Sequence, residues 1–563
     1  MTMRWFGGCA PEGPQLAPEG ARVLWSEPRL WMVGKWPTPL IRMAKSRTAL
    51  LAVIGPCAAT QQDLAPALTA PDLAKAVGHW PGSYTAVRFT ARAVVEIVTD
   101  PTGACPLYTA HTPHGIVWGS SARALAPLTG GEVDTDWLAA YLWDTAAPRD
   151  DRSPWEGVRP VPPGHVLTLA AGGSRFLQPW WSSPTPRPRT EALRGLRHAL
   201  TEGVRARVED TPSATDLGGM DSTTLAVIAA RHRPLTAITA YPLGHTEGGD
   251  LDYARALRVP GLTKIEFPLE AAHLPFAPAI TPMPATDEPP PSTAVWAMLS
   301  AQLRLAKAQG TVRQLTGDGG DHLFLASPRH LVDLAHDRRW LPLMRDALAW
   351  ARLRRQAPGP LITAALRGDT EGIARPWLAR PPWLTPDTPE PRWRSGNATQ
   401  ALISSMRTVA RTAHADAQLC DDVGIELHNP YLDGAVLTAV AAAPAEARFS
   451  AHRYKPLLVD AVGDLLPALH RDRATKGTFT SSFHHGLRAN LRRVLDLTDG
   501  QLAARGLINP APLRTTIHAA AMGAETNWAR LLPTLAAEQW LATIDRTSAV
   551  RWHDTTPAPA GRR

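Results

Sequence analysis

Two glycine-and-aspartate segments, Gly218-Gly219-Met220-Asp221-Ser222 and Gly317-Asp318-Gly319-Gly320-Asp321, hold the residue types that grip a triphosphate. Adjacent glycines carry no Cβ, so successive backbone N–H groups can turn toward phosphate oxygens, and a helix opening near Ser222 adds its positive end. Asp221 would repel a phosphate by itself, but it suits a Mg²⁺ ion that bridges phosphate oxygens. Asp321, at the end of the second glycine turn, is placed to supply a second carboxylate from the neighbouring strand. Gly218, Gly219, Asp221, Ser222, Gly317 and Gly319 are therefore the expected nucleotide-binding positions, with Asp221 and Asp321 as magnesium ligands and ATP and Mg²⁺ as cofactors. Either segment alone reads equally well as an ordinary Asp-Gly turn. The pair in this order is what points to a site that grips ATP with Mg²⁺.

The elements that must position these loops follow from the pattern on either side. A helix over Ser222 to Arg231, a strand at Leu235 to Tyr241, a helix around Asp252 to Arg258 and a strand at Thr263 to Pro268 alternate after the first loop, which predicts a doubly wound parallel sheet. A long helix from Val295 to Gln309 and an apolar-polar stretch from Thr311 to Thr316 lead into the second. Before residue 180 the chain consists of short β-like runs such as Ala49 to Ile54, Val94 to Val98, Ile116 to Trp118 and His165 to Leu169, predicting a β-rich first domain. Trp180 to Pro188 is too proline-rich for a helix or central strand, and an amphipathic helix from Thr190 to Val208 follows it. The expected division is 1–185, 190–550 and a loose tail over 551–563. The Pro- and Trp-crowded segment from Pro376 to Trp393 reads as an ordered excursion bordering the active site.

Composition narrows the class. At 563 residues the chain can form two full cores, and its 44% hydrophobic content is ordinary for a globular protein. No apolar run reaches the roughly 18–20 residues that cross a bilayer, and no signal-peptide hydrophobic region follows Met1, so a cytoplasmic protein without a membrane span is expected. Cys9, Cys57, Cys105 and Cys420 lie far apart, which argues against disulfides and structural zinc. The net charge of +8 comes from arginines scattered among acidic residues, without aromatic interleaving, and nucleic acid is not an expected partner.

With both loops placed, the second part of the chain resembles the asparagine-synthetase-type ATP pyrophosphatases, whose signature is SGGxDS. Asp252-Tyr253-Ala254 is similar to an acidic-aromatic-alanine step of that family, Asp287-Glu288-Pro289 to its DEP element, and Gly317 to Phe324 to its GxGxDExF loop. Asn429-Pro430-Tyr431-Leu432-Asp433 resembles the PFLD segment, and Arg473-Ala474-Thr475-Lys476-Gly477-Thr478-Phe479 the late basic loop. In the first domain, Asp100 to Tyr108 and Gly119 to Leu125 are similar to DxxGxxPLYY and SExKAL strands of the glutaminase domain. The resemblance thus implies an N-terminal glutaminase-like (Ntn) domain and a C-terminal synthetase domain. Thr2 stands where the glutaminases expose a cysteine, no Asn-Gly-Glu segment is found, and Cys9 reads as a core residue; the first domain is therefore expected to be degenerate. Leu217 replaces the signature serine, and His322 replaces the glutamate beside the magnesium aspartate.

A synthetase with no ammonia source must use an amine already on its substrate. The resemblance then points to the lasso-peptide macrolactam synthetases, with β-lactam synthetases, another small-molecule amide synthetase, asparagine synthetase or a non-catalytic scaffold of the same fold as alternatives. It implies adenylation of an Asp or Glu side chain of a precursor peptide and attack by the peptide's N-terminal amine. A leader peptidase and a leader-recognition protein are the implied partners. Lys476 is the implied oxyanion-stabilising cation and Asp318 the implied proton acceptor.

Overall fold

The computed structural model describes residues 3–554 apart from 14–15, 150, 243, 246, 281, 326, 376–378, 394–395 and 474–479. The first half is built on two antiparallel six-stranded sheets. One contains Trp5–Cys9 between Arg29–Val33 and Gly115–Gly119; the other runs from Ile41–Lys45 through Ala49–Ile54, Thr85–Thr90, Val94–Val98 and His165–Ala170 to Arg175–Pro179. Alternating side chains point inward from both sheets, and Phe6, Leu30, Met32, Ile97, Trp118 and Leu167 fill the layer between them. The helices Gln61–Thr69 and Leu73–Val77 cover the outer face of the second sheet through Leu64, Leu68 and Val77.

The outer face of the first sheet is covered by Thr135–Trp143 and by a helix from the far end of the chain, Trp528–Arg546. Trp137 and Leu138 share one core with Leu531, Leu535 and Trp540. The segment around Trp383 joins that core: Trp383 Nε1 donates to Thr534 Oγ1 at 3.0 Å, and Leu384 bridges to Ile508. The described part of the expected excursion thus packs on the C-terminal helices, because Trp383 and Trp393 have apolar surface to bury there. A second correction concerns the tail. Trp552–Asp554 forms a strand against Leu16–Pro18, and the Trp552 ring packs edge-on to Trp31 at 5.8 Å; residues 555–563 lie outside the described part.

The second half carries a parallel sheet in the order Leu262–Leu269, Leu235–Pro242, Ser213–Asp216, Arg313–Leu315, Glu426–His428. The expected alternation is observed, with the helix expected at Asp252 to Arg258 starting earlier, at Gly249–Ala256. Strand order reverses between Ser213–Asp216 and Arg313–Leu315, and both glycine loops leave the carboxyl ends of these two strands. A crevice at that reversal is where open α/β sheets bind ligands. Met220–Ala230 is buried nearly all round, apolar beyond its polar first turn of Asp221 to Thr224, and shares a core with Leu196, Leu437 and Leu458 of three other helices.

Candidate active site

The first loop is held open by close packing. Gly218 has φ +133°, and a Cβ there would come 2.5 Å from the Cβ of Asp250. Gly219 caps the Met220–Ala230 helix, so Asp221 and Ser222 lie in its first turn, with Ser222 Oγ donating to Gly219 O at 3.2 Å. The second loop closes directly on Asp221: a Cβ at Gly320 would meet Asp221 Cγ at 2.5 Å, and one at Gly317 would meet Asp221 Cβ at 3.0 Å. The two segments, separated by a hundred residues of chain, therefore make one surface. Tyr431 ties a third segment to it by donating its hydroxyl to Asp221 O at 3.0 Å.

At the centre sits a residue to which the sequence reading gave no role. Lys455 Nζ donates to Asp221 Oδ2 and, at 2.7 Å, to Asp321 Oδ1. Its side chain is 1% exposed. Burial lowers the pKa of this ammonium, and the carboxylates Asp221 and Asp321 more than reverse the effect, so it stays charged. Lys455 is also held in the left-handed region at φ +44°, a conformation of a non-glycine residue that persists where its surroundings enforce it. The expected pair of carboxylates is thus brought within reach of one cation, and in this structure that cation is an ammonium. Among the described residues no third His, Cys, Asp or Glu joins them in a metal-ligand group, and such a pair fits Mg²⁺, which dehydrates reluctantly and takes its remaining ligands from phosphates and water. Asp221 and Asp321 would hold the ion, and its charge would stabilise a departing pyrophosphate.

Arg473, the first residue of the basic loop, is the second unassigned contributor. It donates to Gly218 O and, at 2.6 Å, to Asp250 Oδ1, and its guanidinium lies 4.3 Å from the centroid of the Tyr253 ring. Lys476 lies outside the described residues. The scarcity of lysine, seven of the 59 basic residues, marks Lys455 as unusual but does not place it in the site.

Asp318 faces a different neighbourhood. Asn429 Nδ2 donates to its Oδ2 at 3.1 Å, and below it lie two further carboxyls, Asp216 and Asp416. Gln314 Nε2 donates to Asp216 at 3.0 Å, while Ser292 satisfies Asp416 through its backbone N–H at 3.1 Å and its hydroxyl at 2.8 Å. Burial, with the charge of Asp318 adding to it, raises Asp216 to about 6 and Asp416 to about 7. Asp318 thus has two buried carboxyls within electrostatic reach, both pushed up toward neutrality chiefly by burial. Leu217 is buried in the core, and its carbonyl accepts from Thr239 Oγ1 at 3.0 Å, so no hydroxyl is presented at that position. His322 lines a cavity of about 290 Å³ that opens beside Asp321, with Leu325, Leu402 and Phe449 as apolar wall and Ser327, Arg329 and Ser405 as polar contributors.

Comparison with known proteins assigns the lineage. Residues 195–542 match the asparagine synthase family. The chain belongs to that family. Residues 75–181 match a glutamine amidotransferase domain, consistent with the β-rich, Ntn-amidotransferase-like first domain. A carboxyethyl-arginine beta-lactam-synthase from Streptomyces clavuligerus is 29% identical over 173 residues, covering 29% of this chain and 31% of that protein, so the alignment spans under a third of the relative. Glutamine phosphoribosylpyrophosphate amidotransferase from B. subtilis aligns at 10% identity over 56% of this chain and 81% of its own, with a TM-score of 0.21. An allosteric regulatory enzyme of purine biosynthesis aligns at 10% identity over 56% and 80%, with a TM-score of 0.22. The asparagine synthase members bear on the chemistry; these two alignments do not.

Proposed function

We propose that this protein is an ATP-dependent amide ligase that closes a macrolactam in a peptide, joining an Asp or Glu side chain to the peptide's own N-terminal amine. Membership of the asparagine synthase family and the likeness to a β-lactam synthase support the ligase class. The observation on which the peptide reading leans is the cavity of about 290 Å³ beside Asp321, whose apolar wall of Leu325, Leu402 and Phe449 would receive one or two side chains of a peptide lying across the site. A carboxylate is a poor acyl donor, and ATP converts it to a mixed anhydride from which AMP leaves readily. Asp221, Asp321 and Lys455 then form the phosphate end of the site, and Arg473 braces the first loop through Gly218 O. Asp318, beside Asn429, takes the amine proton, and Lys476 stabilises the tetrahedral oxyanion. A precursor peptide, a leader peptidase and a leader-recognition protein complete the system, in the cytoplasm.

A second reading rests on the β-lactam synthase likeness: ring closure within a small β-amino acid. One experiment separates the two. A leader-free peptide with an Asp or Glu several residues from its N-terminus, incubated with enzyme, ATP and Mg²⁺, is expected to lose one water as AMP and pyrophosphate appear. Acetylating its N-terminus or changing the acceptor to Asn or Gln abolishes the loss. Loss of water from the acetylated peptide, or reaction of small β-amino acids alone, overturns the macrolactam reading.

A further inference from the structure

Between the second glycine loop and the long helix Ala398–Val423 the chain inserts four helices, His330–His336, Trp340–Arg354, Pro358–Leu366 and Thr370–Ala374, around a core of their own that includes Leu331, Leu343, Trp350 and Leu361. Trp340–Arg354 turns Leu343, Ala347, Trp350 and Ala351 into that core. Leu341 at 86%, Met344 at 46% and Leu348 at 43% are exposed away from that core, and Trp340, in the first turn on the core-facing side, is exposed at 51%. Residues 341, 344 and 348 stand at i, i+3 and i+7, so these side chains form one continuous stripe along the helix. The exposed Arg345 and Arg352 fall along one flank of it, and the exposed Arg355 caps the helix end in the left-handed region at φ +52°. From 338 to 367 there are seven arginines and one acidic residue, Asp346.

We infer that this face docks on an anionic lipid surface, with Trp340–Arg354 lying in the plane of the interface. The stripe projects from a convex helix, so it offers apolar side chains to be received. A tryptophan at one end and arginines along one edge, whose long stems reach headgroups while leucines enter the acyl boundary, is the arrangement of an interfacial helix. The four side chains present on the order of a few hundred Å² of apolar surface. That is below the roughly 800 Å² per partner of a stable protein–protein interface. A second copy of the chain across a two-fold axis would set the arginine flank against its own equivalent, which repels. Among the described residues no helix is long and apolar enough to cross a membrane, so attachment at the surface is the form the geometry allows.

The test is co-sedimentation of the full-length protein with vesicles of phosphatidylcholine alone and of equal parts phosphatidylcholine and phosphatidylglycerol. Binding to the anionic vesicles only, weakened by 0.5 M NaCl, is expected. Leu341→Glu with Leu348→Glu, and separately Arg352→Glu with Arg355→Glu, should each weaken it about ten-fold or more, with melting curves unchanged because these positions are exposed. Reversing the exposed Arg175 and Arg187 is the charge-matched control and should leave it within about two-fold. Failure to pellet with anionic vesicles overturns the inference. So does an equal loss in the control, or self-association removed by Leu341→Glu without vesicle binding.

Discussion

At the scale of single residues, Lys455 changes what Asp221 and Asp321 are expected to do. As exposed turn aspartates they would contribute little to stability, yet both hold a lysine that is 1% exposed. Replacing either by Asn leaves that ammonium with one carboxylate, and a loss of about 1–3 kcal/mol in stability should accompany the loss of pyrophosphate release. Lys455→Met does the converse and leaves two carboxylates facing one another. This variant should melt lower than wild type in EDTA, and Mg²⁺ should raise its melting temperature by several degrees more than it raises that of the wild type, since the ammonium no longer competes for the carboxylates. Pyrophosphate release should fall by about a hundred-fold or more. A Mg²⁺ response equal to wild type would show that the two aspartates do not form a metal site.

At the scale of elements, the site depends on how closely two loops approach. A Cβ at Gly320 would lie 2.5 Å from Asp221 Cγ and 2.8 Å from each of its oxygens. Gly320→Ala must therefore push the carboxylate away from Lys455 or shift the short helix Gly320–Phe324. The expected outcome is a loss of about a hundred-fold in pyrophosphate release and of about 1–3 kcal/mol in stability, from overpacking. Gly359→Ala, where the added carbon meets open space, should change neither. The measurement is pyrophosphate release alongside a thermal melt; normal turnover by Gly320→Ala would mean that the loops do not close on one another in the working enzyme.

At the scale of the whole molecule, the first domain supports the site. Asp433 is fully buried and receives Arg207 at 2.5 and 2.9 Å and Ser83 Oγ, from the first domain, at 2.6 Å. Thr102 Oγ1, also from the first domain, donates to Leu432 O at 2.6 Å, and Tyr431 one residue earlier holds Asp221. Arg4 reaches Glu426 at 2.8 Å in the last strand of the parallel sheet, and Asp287 of the DEP element accepts from Ser121 Oγ at 2.6 Å. The Pro430-Tyr431-Leu432-Asp433 segment is thus a strut between domain and loop. Arg207→Met leaves Asp433 buried without its main counter-charge and should destabilise the protein by about 3–5 kcal/mol. Pyrophosphate release should fall with it, although Arg207 touches neither glycine loop. Full stability of this variant in a denaturant melt would break the link between the two halves.

The pairing of the glycine loops, the parallel sheet that carries them and the β-rich first domain were legible in the residues themselves, because each rests on local rules: glycine where backbone must approach, alternation of strand and helix periods, proline where a chain turns. Asp221 and Asp321 were legible for the same reason. Lys455 and Arg473 as site residues, the carboxyls Asp216 and Asp416 beneath Asp318, and the closing of Trp552–Asp554 on Leu16–Pro18 were decided by tertiary structure. Their partners lie from about ninety to more than five hundred residues away along the chain, and whether a lysine is a solvated surface charge or the centre of an ion pair depends on what the fold brings around it, which no local pattern encodes.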